Sequence, residues 1–272
     1  MKKIGMMLAA LAGAIMSAFL LLPVLSVYLE TAPSHIIQNL TTPTAIDALQ
    51  LSVLTTFLSL LTILLLGTPL AYFLAYTTFP GKRIIEVILQ LPVVIPPAVA
   101  GVGLLLAFGR YGLLGRYLAS FGIEIGFSTS AVVLAQTFVA APFYVQAART
   151  AFAGLDPSLL FASRTLGATR ARTFFRIVLP LAMPGLITGA ALSWGRALGE
   201  FGATIMFAGN LPGVTQTLPL AIYSAMQSDL GVAITISALL ITVGFALLLL
   251  VKTAELLPKR KKQQRREEMA DA

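Results

Sequence analysis

The chain has 272 residues, of which 57% are hydrophobic and only 11% charged, and it carries a formal net charge of +8. A soluble globular domain is about 25% charged, so this balance points to lipid as the solvent. Cysteine is absent, which excludes disulfides, thiolate metal centres and cysteine nucleophiles, and the single histidine, His35 in a polar loop, has no second histidine with which to hold zinc.

Six apolar segments follow one another at about residues 4–29, 50–78, 84–108, 130–152, 181–207 and 231–252. Each approaches or exceeds the length of about 20 residues needed to cross a hydrocarbon core about 30 Å thick. The first follows Lys2 and Lys3, as a secretory signal would. A signal has an apolar stretch of only about 7–15 residues and ends at a small-x-small cleavage site. Here the run continues from Ile4 to Leu29 and exits through Val27-Tyr28-Leu29-Glu30, so a retained helix is expected.

Proline recurs inside the spans, at Pro69, Pro92, Pro96, Pro97, Pro142 and Pro184. Each removes a backbone donor and clashes with the preceding turn, and in a membrane the freed carbonyls need a neighbour or a water-filled cavity. The most disrupted stretch is Leu91-Pro92-Val93-Val94-Ile95-Pro96-Pro97, followed by Gly101 and Gly103. It reads either as a static kink or as a pore-lining helix with a bendable section. No internal repeat is visible, and no matching pair of broken helices of the kind that marks an inverted-repeat secondary transporter.

Between the fourth and fifth spans lies a basic loop, about residues 153–180. Asp156-Pro157 is a good helix start, because the carboxylate can cap free amides and proline suits the first helical position. Gly167 is a good stop. The short helix between them carries Leu159, Leu160, Phe161, Ala162, Ser163 and Leu166, and a second short helix is expected to run toward Pro180. An apolar surface standing out from a membrane domain marks a partner site or a helix lying flat on lipid headgroups. The segment Phe161-Ala162-Ser163, then Gly167, then Ile177-Val178-Leu179-Pro180 resembles the loop shared by permeases of binding-protein-dependent ABC importers. That family has Glu where this chain has Phe161. The resemblance implies that the loop is a coupling helix seated on an ATP-hydrolysing partner. No G-x-x-x-x-G-K-[ST] run occurs in the chain, so ATP would bind a separate subunit and this one would carry no cofactor.

In the fifth span, Arg196 and Glu200 are four residues apart, where opposite charges on one helix face can pair. Arg196 falls about 22 Å along the helix, nearer the far surface than the centre. The pair reads as a structural ion pair facing the bundle, with Arg196 also able to face an anion in a pathway. The stretch Gly199-Glu200-Phe201-Gly202-Ala203-Thr204 resembles one shared by molybdate and sulfate permeases. Its continuation, Asn210-Leu211-Pro212-Gly213, Thr215-Gln216-Thr217 and Pro219 to Tyr223, looks more like the molybdate branch.

The expectation is therefore an all-α bundle of six transmembrane helices over residues 1–258 with a basic cytoplasmic tail over 259–272. The resemblance implies a homodimer with a pathway at its interface, two P-loop ATPase subunits, and an extracytoplasmic oxyanion-binding protein. Molybdate or tungstate is the expected substrate and sulfate or thiosulfate the alternative. An ion-coupled secondary carrier would need intramembrane carboxylates, for which only Glu200 and the boundary residue Glu86 are available. An intramembrane enzyme would need a Ser–His or paired-carboxylate arrangement that is not visible. Basic clusters beside so much apolar sequence read as membrane topology signals, not as a nucleic-acid surface. Lys82, Arg83, Arg164, Arg170, Arg172 and Arg176 fall in loops on one side with both termini, and only Arg110 and Arg116 on the other. This asymmetry puts both termini in the cytoplasm. A reporter or protease site placed after Arg260 should be reached only from inside intact cells; access from outside would overturn the topology.

Overall fold

The computed structural model describes the backbone of residues 2–30 and 42–270, and the side chains of 5–30, 42–250 and 253. His35 lies outside the described residues, as do the side chains of Lys2, Lys3 and the basic tail from Lys259. The helices are α1 (Lys2–Leu29), α2 (Pro43–Tyr76), α3 (Lys82–Val94), α4 (Pro97–Phe108), α5 (Gly115–Ser120) and α6 (Thr129–Ala153). They continue as α7 (Pro157–Thr165), α8 (Arg170–Thr173), a π-helical stretch (Phe174–Val178), α9 (Leu179–Leu198), α10 (Gly202–Phe207), α11 (Leu218–Met226) and α12 (Leu230–Ala270). Among the described residues, five helices are long and apolar enough to cross a membrane, and the count is six if the bent pair of α3 and α4 is one span. The protein is an all-α polytopic bundle.

Three boundaries differ from the sequence expectation. The second span starts at Pro43, where proline fits the first helical turn. The last helix does not stop near residue 252 but continues through Ala270, because the tail is rich in Lys, Arg, Gln and Glu, all strong helix formers. The third apolar segment is not one helix: the chain bends by 115° between α3 and α4. Its cause is local. A residue before proline is driven out of the helical region, and both Ile95 (φ −67°, ψ 130°) and Pro96 (φ −53°, ψ 134°) precede one. Pro97 then opens α4.

Helix α6 is the axis of the bundle and packs most extensively on α2 and α9. Small residues on it, among them Ala131, Ala135, Ala140 and Ala148, are fully buried. Such residues let membrane helices approach closely. One apolar core, at the end bearing the basic loop, gathers Ile63, Tyr144, Phe152, Val178 and Leu186. A second gathers Leu104, Val132, Val139 and Phe207 around α4, α6 and α10. Helix α1 lies against α12, where the hydroxyls of Tyr28 and Thr242 share a hydrogen bond at 2.8 Å.

The fifth span also differs. It does not run unbroken to residue 207: α9 ends at Leu198, and α10 begins at Gly202. The two broken spans meet. A Cβ on Gly101 of α4 would lie 2.6 Å from the Ala203 carbonyl oxygen and 2.7 Å from Met206 Cβ of α10, and one on Gly202 would lie 2.8 Å from Pro97 Cβ. This is backbone-to-backbone packing that any side chain would force apart. Gly103, two positions along α4, has open space at the same place. Gly101→Ala should therefore destabilise the detergent-solubilised protein by about 1–3 kcal/mol through overpacking. Gly103→Ala should be neutral or stabilising, since alanine is the better helix former by about 1 kcal/mol. Thermal unfolding of both variants checks the pair, and equal shifts would refute the close contact.

Candidate functional site

The basic loop is built from its caps. Asp156 Oδ1 accepts the Ser158 backbone N–H at 2.9 Å. That amide holds the exposed Asp156 carboxyl below its ordinary pKa. The cap therefore contributes above the carboxyl's unfolded value and is lost as pH falls through the depressed one. Helix α7 ends in a turn at Gly167 (φ +75°), whose N–H reaches the Arg164 carbonyl at 2.9 Å while the Ala168 N–H reaches Ser163 at 3.0 Å. Thr169 Oγ1 then accepts from the Arg172 N–H at 3.3 Å and starts α8. The two short helices are pinned together by the hydroxyls of Ser163 and Thr173, 3.0 Å apart and buried.

Leu159, Phe161 and Leu166 stand 41%, 65% and 86% exposed on this hairpin. Ala162 is exposed beside them. Leu160, expected to be uncovered as well, instead turns inward and packs against the core that contains Phe152. Pro180 does not end a helix; it sits near the start of α9, which is continuous with the π-helical stretch before it, so its missing N–H interrupts the hydrogen-bond ladder without breaking the helical run. Under the hairpin lies an aromatic cluster that the sequence reading missed. The ring of Tyr72 lies 4.9 Å from Tyr76, 5.6 Å from Phe152 and 5.0 Å from Phe174 between centroids. The Tyr76 hydroxyl donates to the Phe152 carbonyl at 2.8 Å. The return limb of the loop is thus clamped to α2 and α6. Only the four-residue spacing of Tyr72 and Tyr76 could have signalled it.

At the break of the fifth span, Glu200 is not on the helix that carries Arg196. Gly199 caps α9, and Glu200 follows it in a non-helical link. The carboxylate is still paired: Oε2 lies 2.8 Å from Arg196 Nη2, and Oε1 accepts the Ala203 N–H at 2.7 Å. The Glu200 side chain is 1% exposed and that of Arg196 28%. One side chain thus closes α9 electrostatically and caps α10. Beyond it, the segment singled out by resemblance folds on itself. Asn210 Nδ2 donates to Ser224 Oγ at 2.8 Å, and Gln216 Nε2 donates to Asn210 Oδ1 at 3.0 Å. Ser52 Oγ of α2 accepts the Leu218 N–H at 2.7 Å and seats α11.

A second ion pair joins α3 to α6, Glu86 Oε1 to Arg149 Nη2 at 2.9 Å, with side chains 20% and 28% exposed. Arg149 carries no sequence signal that points to Glu86, because the partners are far apart in the chain. Of the proline cluster, Pro92 is half-buried on α3, while Pro96 and Pro97 are exposed at the bend and Gly101 is buried against α10. Among the described residues, no group of three carboxylates or histidines gathers as a metal ion would require.

Five long apolar helices, two broken helices packed on each other and a capped hairpin projecting from the bundle define a polytopic membrane protein. Residues 67–257 match the family of binding-protein-dependent transport system inner membrane components, and the chain belongs to it. It is 44% identical over 241 residues to the molybdenum transport system permease protein ModB of Mycobacterium tuberculosis, covering 87% of this chain and 89% of the relative. It is 42% identical over 206 residues to the ModB of Escherichia coli, covering 75% and 90%. In fold it is similar to a bacterial ABC transporter involved in the import of the acidic polysaccharide alginate, with a TM-score of 0.71 and 19% identity over 95% of this chain and 96% of that one.

The double role of Glu200 sets an order among variants. Arg196→Ala leaves a buried carboxylate without its cation, and breaking a buried pair costs about 3–5 kcal/mol. Glu200→Ala loses the pair and the α10 cap together. The double variant, with no stranded charge, should give more folded protein than either single one. Size-exclusion yield and molybdate uptake check this, and normal folding of Arg196→Ala with abolished uptake would make Arg196 an anion contact instead.

Proposed function

We propose that the chain is the membrane-spanning subunit through which an ATP-driven importer carries molybdate, or the chemically similar tungstate, across the cytoplasmic membrane of a prokaryote. The observation that carries this assignment is the 44% and 42% identity to relatives named for molybdenum transport, over most of both chains. Two copies form the working unit, with the pathway between them and both termini in the cytoplasm. A soluble binding protein delivers the oxyanion on the outer side. Two P-loop ATPase subunits close on ATP and displace the α7 hairpins. The permease makes and breaks no covalent bond, since its task is to convert that displacement into a change of access.

The hairpin is suited to this task. Leu159, Phe161 and Leu166 offer an apolar tip, and an exposed apolar patch on a fixed helix marks a partner surface. With Phe161 in place of the family's Glu, contact with the ATPase there rests on shape and apolar area, not on an ion pair. Uptake of radiolabelled molybdate by proteoliposomes holding the permease, its ATPase and its binding protein tests the function. Competition by tungstate but not by equal sulfate is the expected result, and preferential uptake of sulfate would move the assignment to that anion.

Gly167→Val tests the coupling role. A β-branched residue at positive φ costs about 1–3 kcal/mol, while the side chain itself has open space. The bundle should still fold, because the strained turn lies outside it. Uptake should fall about tenfold as the hairpin leaves its docking geometry. ATP hydrolysis without uptake, or failure to hold the ATPase, supports coupling; unchanged uptake with full ATPase binding refutes it.

A further inference from the structure

A groove of about 710 Å³ opens between α3, α6 and α9; its lining is mostly apolar, with Val93, Phe143 and Leu192 among the residues, and four polar side chains interrupt it, Gln90, Gln146, Thr150 and Thr188. The threonines spend their hydroxyl protons on their own helices, Thr150 on the Gln146 carbonyl and Thr188 on the Pro184 carbonyl, both at 2.9 Å. The two glutamines differ. Both are exposed, and neither side-chain amide has a hydrogen-bond partner among the described residues. At a rise of about 1.5 Å per residue, Gln90 lies about 12 Å from the Lys82 end of α3 and Gln146 about 10 Å from the Ala153 end of α6. Both therefore stand about two turns in from those helix ends, on neighbouring walls of the groove.

Amides without partners are not stable against lipid tails, and polar groups at membrane depth face protein or a water-filled cavity. Charge decides what such a cavity suits. One turn nearer the basic loop, Arg149 is neutralised by Glu86 at 2.9 Å. The groove thus offers donors without a free cation. An anion held by a bare cation in a dry site would be slow to leave, and passage requires binding that is weak enough to release.

We propose that this groove is the loop-side leg of the anion's path, and that the side-chain amides of Gln90 and Gln146 are the neutral donors that pass a tetrahedral oxyanion along it. The inference rests on the import function above and assigns its pathway residues. Glu86 acts as a positioning residue that keeps Arg149 from trapping the anion.

The chain has no cysteine, so Gln90→Cys and Gln146→Cys report directly on the groove. In the full complex, without nucleotide, both should react from the cytoplasmic side with a negatively charged, membrane-impermeant thiosulfonate, and the reaction should slow uptake. Gln90→Leu with Gln146→Leu should lower molybdate uptake by about tenfold, the loss expected when hydrogen bonds to a charged group are removed. Dimer assembly and ATPase binding should be retained. Glu86→Gln should also slow uptake by exposing Arg149, with binding-protein docking unchanged.

Unreactive cysteines at both positions, or full uptake by the double leucine variant, would mean that the groove faces lipid and would overturn the proposal. Loss of the dimer in that variant would make the groove a packing surface between copies and would overturn it too. Failure of the unaltered complex to import molybdate would strike at the importer assignment instead, and the thiol reactivity would still decide whether the groove holds water.

Discussion

The carboxylate of Glu200 sits where a membrane helix stops inside the bundle. In hydrocarbon no water is available to take up the free backbone groups at such an end, and an unpaired buried charge is strongly destabilising. Glu200 answers both demands. It lies against Arg196, the last charged residue of α9, and it takes the Ala203 N–H that begins α10. With that junction closed, α10 can leave the line of α9 and lie against α4. Gly101 and Gly202 then bring the two backbones together, with Pro97 at the contact. The bends in the third and fifth spans are therefore one structural unit, held by a buried ion pair on one side and by missing side chains on the other.

The same need to satisfy polar groups internally explains a seam of hydroxyls on α2. Ser52, Thr55, Thr56 and Ser59 are all buried at helical spacing. Ser52 accepts the first N–H of α11, Thr56 accepts the Trp194 indole N–H at 3.1 Å, and Ser59 donates to the Val133 carbonyl and lies 3.0 Å from Gln136 Oε1. Three of the four hydroxyls thus fasten α2 to different neighbours, α11, α9 and α6, while Thr55 bonds back to the Leu51 carbonyl of its own helix at 2.8 Å. Small residues give close approach, and their oxygens give register.

The spans were legible because a membrane imposes a length that an apolar run displays directly. The loop hairpin was legible because its signals are local: Asp156-Pro157 and Gly167 act within a few residues of themselves. What escaped was set by partners distant in sequence. The four-residue spacing of Arg196 and Glu200 looks the same whether or not the helix continues between them, so the pair was visible and the break was not. The proline run announced a disruption near Pro96, but its angle comes from two successive residues that each precede a proline, together with the fit of Gly101 against Ala203. No matching pair of broken helices was visible because only one of the two breaks falls at proline; the other falls at glycine and an acid. Arg149, the aromatic clamp and the groove amides depend on which faces of α3 and α6 meet.

These parts also bear on how a push at the loop could reach a site deep in the membrane. The limb returning from α7 passes through the π-helical stretch directly into α9 without a loop between them. Phe174 of that stretch is clamped by Tyr72, Phe152 and Phe175. Displacement of the hairpin is therefore resisted at its base and must travel along α9 or rotate the bundle beneath it. Helix α3 is held differently. It has no buried residue of its own and is tied to α6 through Glu86 and Arg149. It meets α4 through two non-helical residues, while α4 is locked onto α10. Of the elements around the groove, α3 is thus the one that can shift with least loss of packing, and α9 is the one joined to the hairpin. A groove bounded by one driven wall and one loosely held wall can change width while the axis, α6, stays in place.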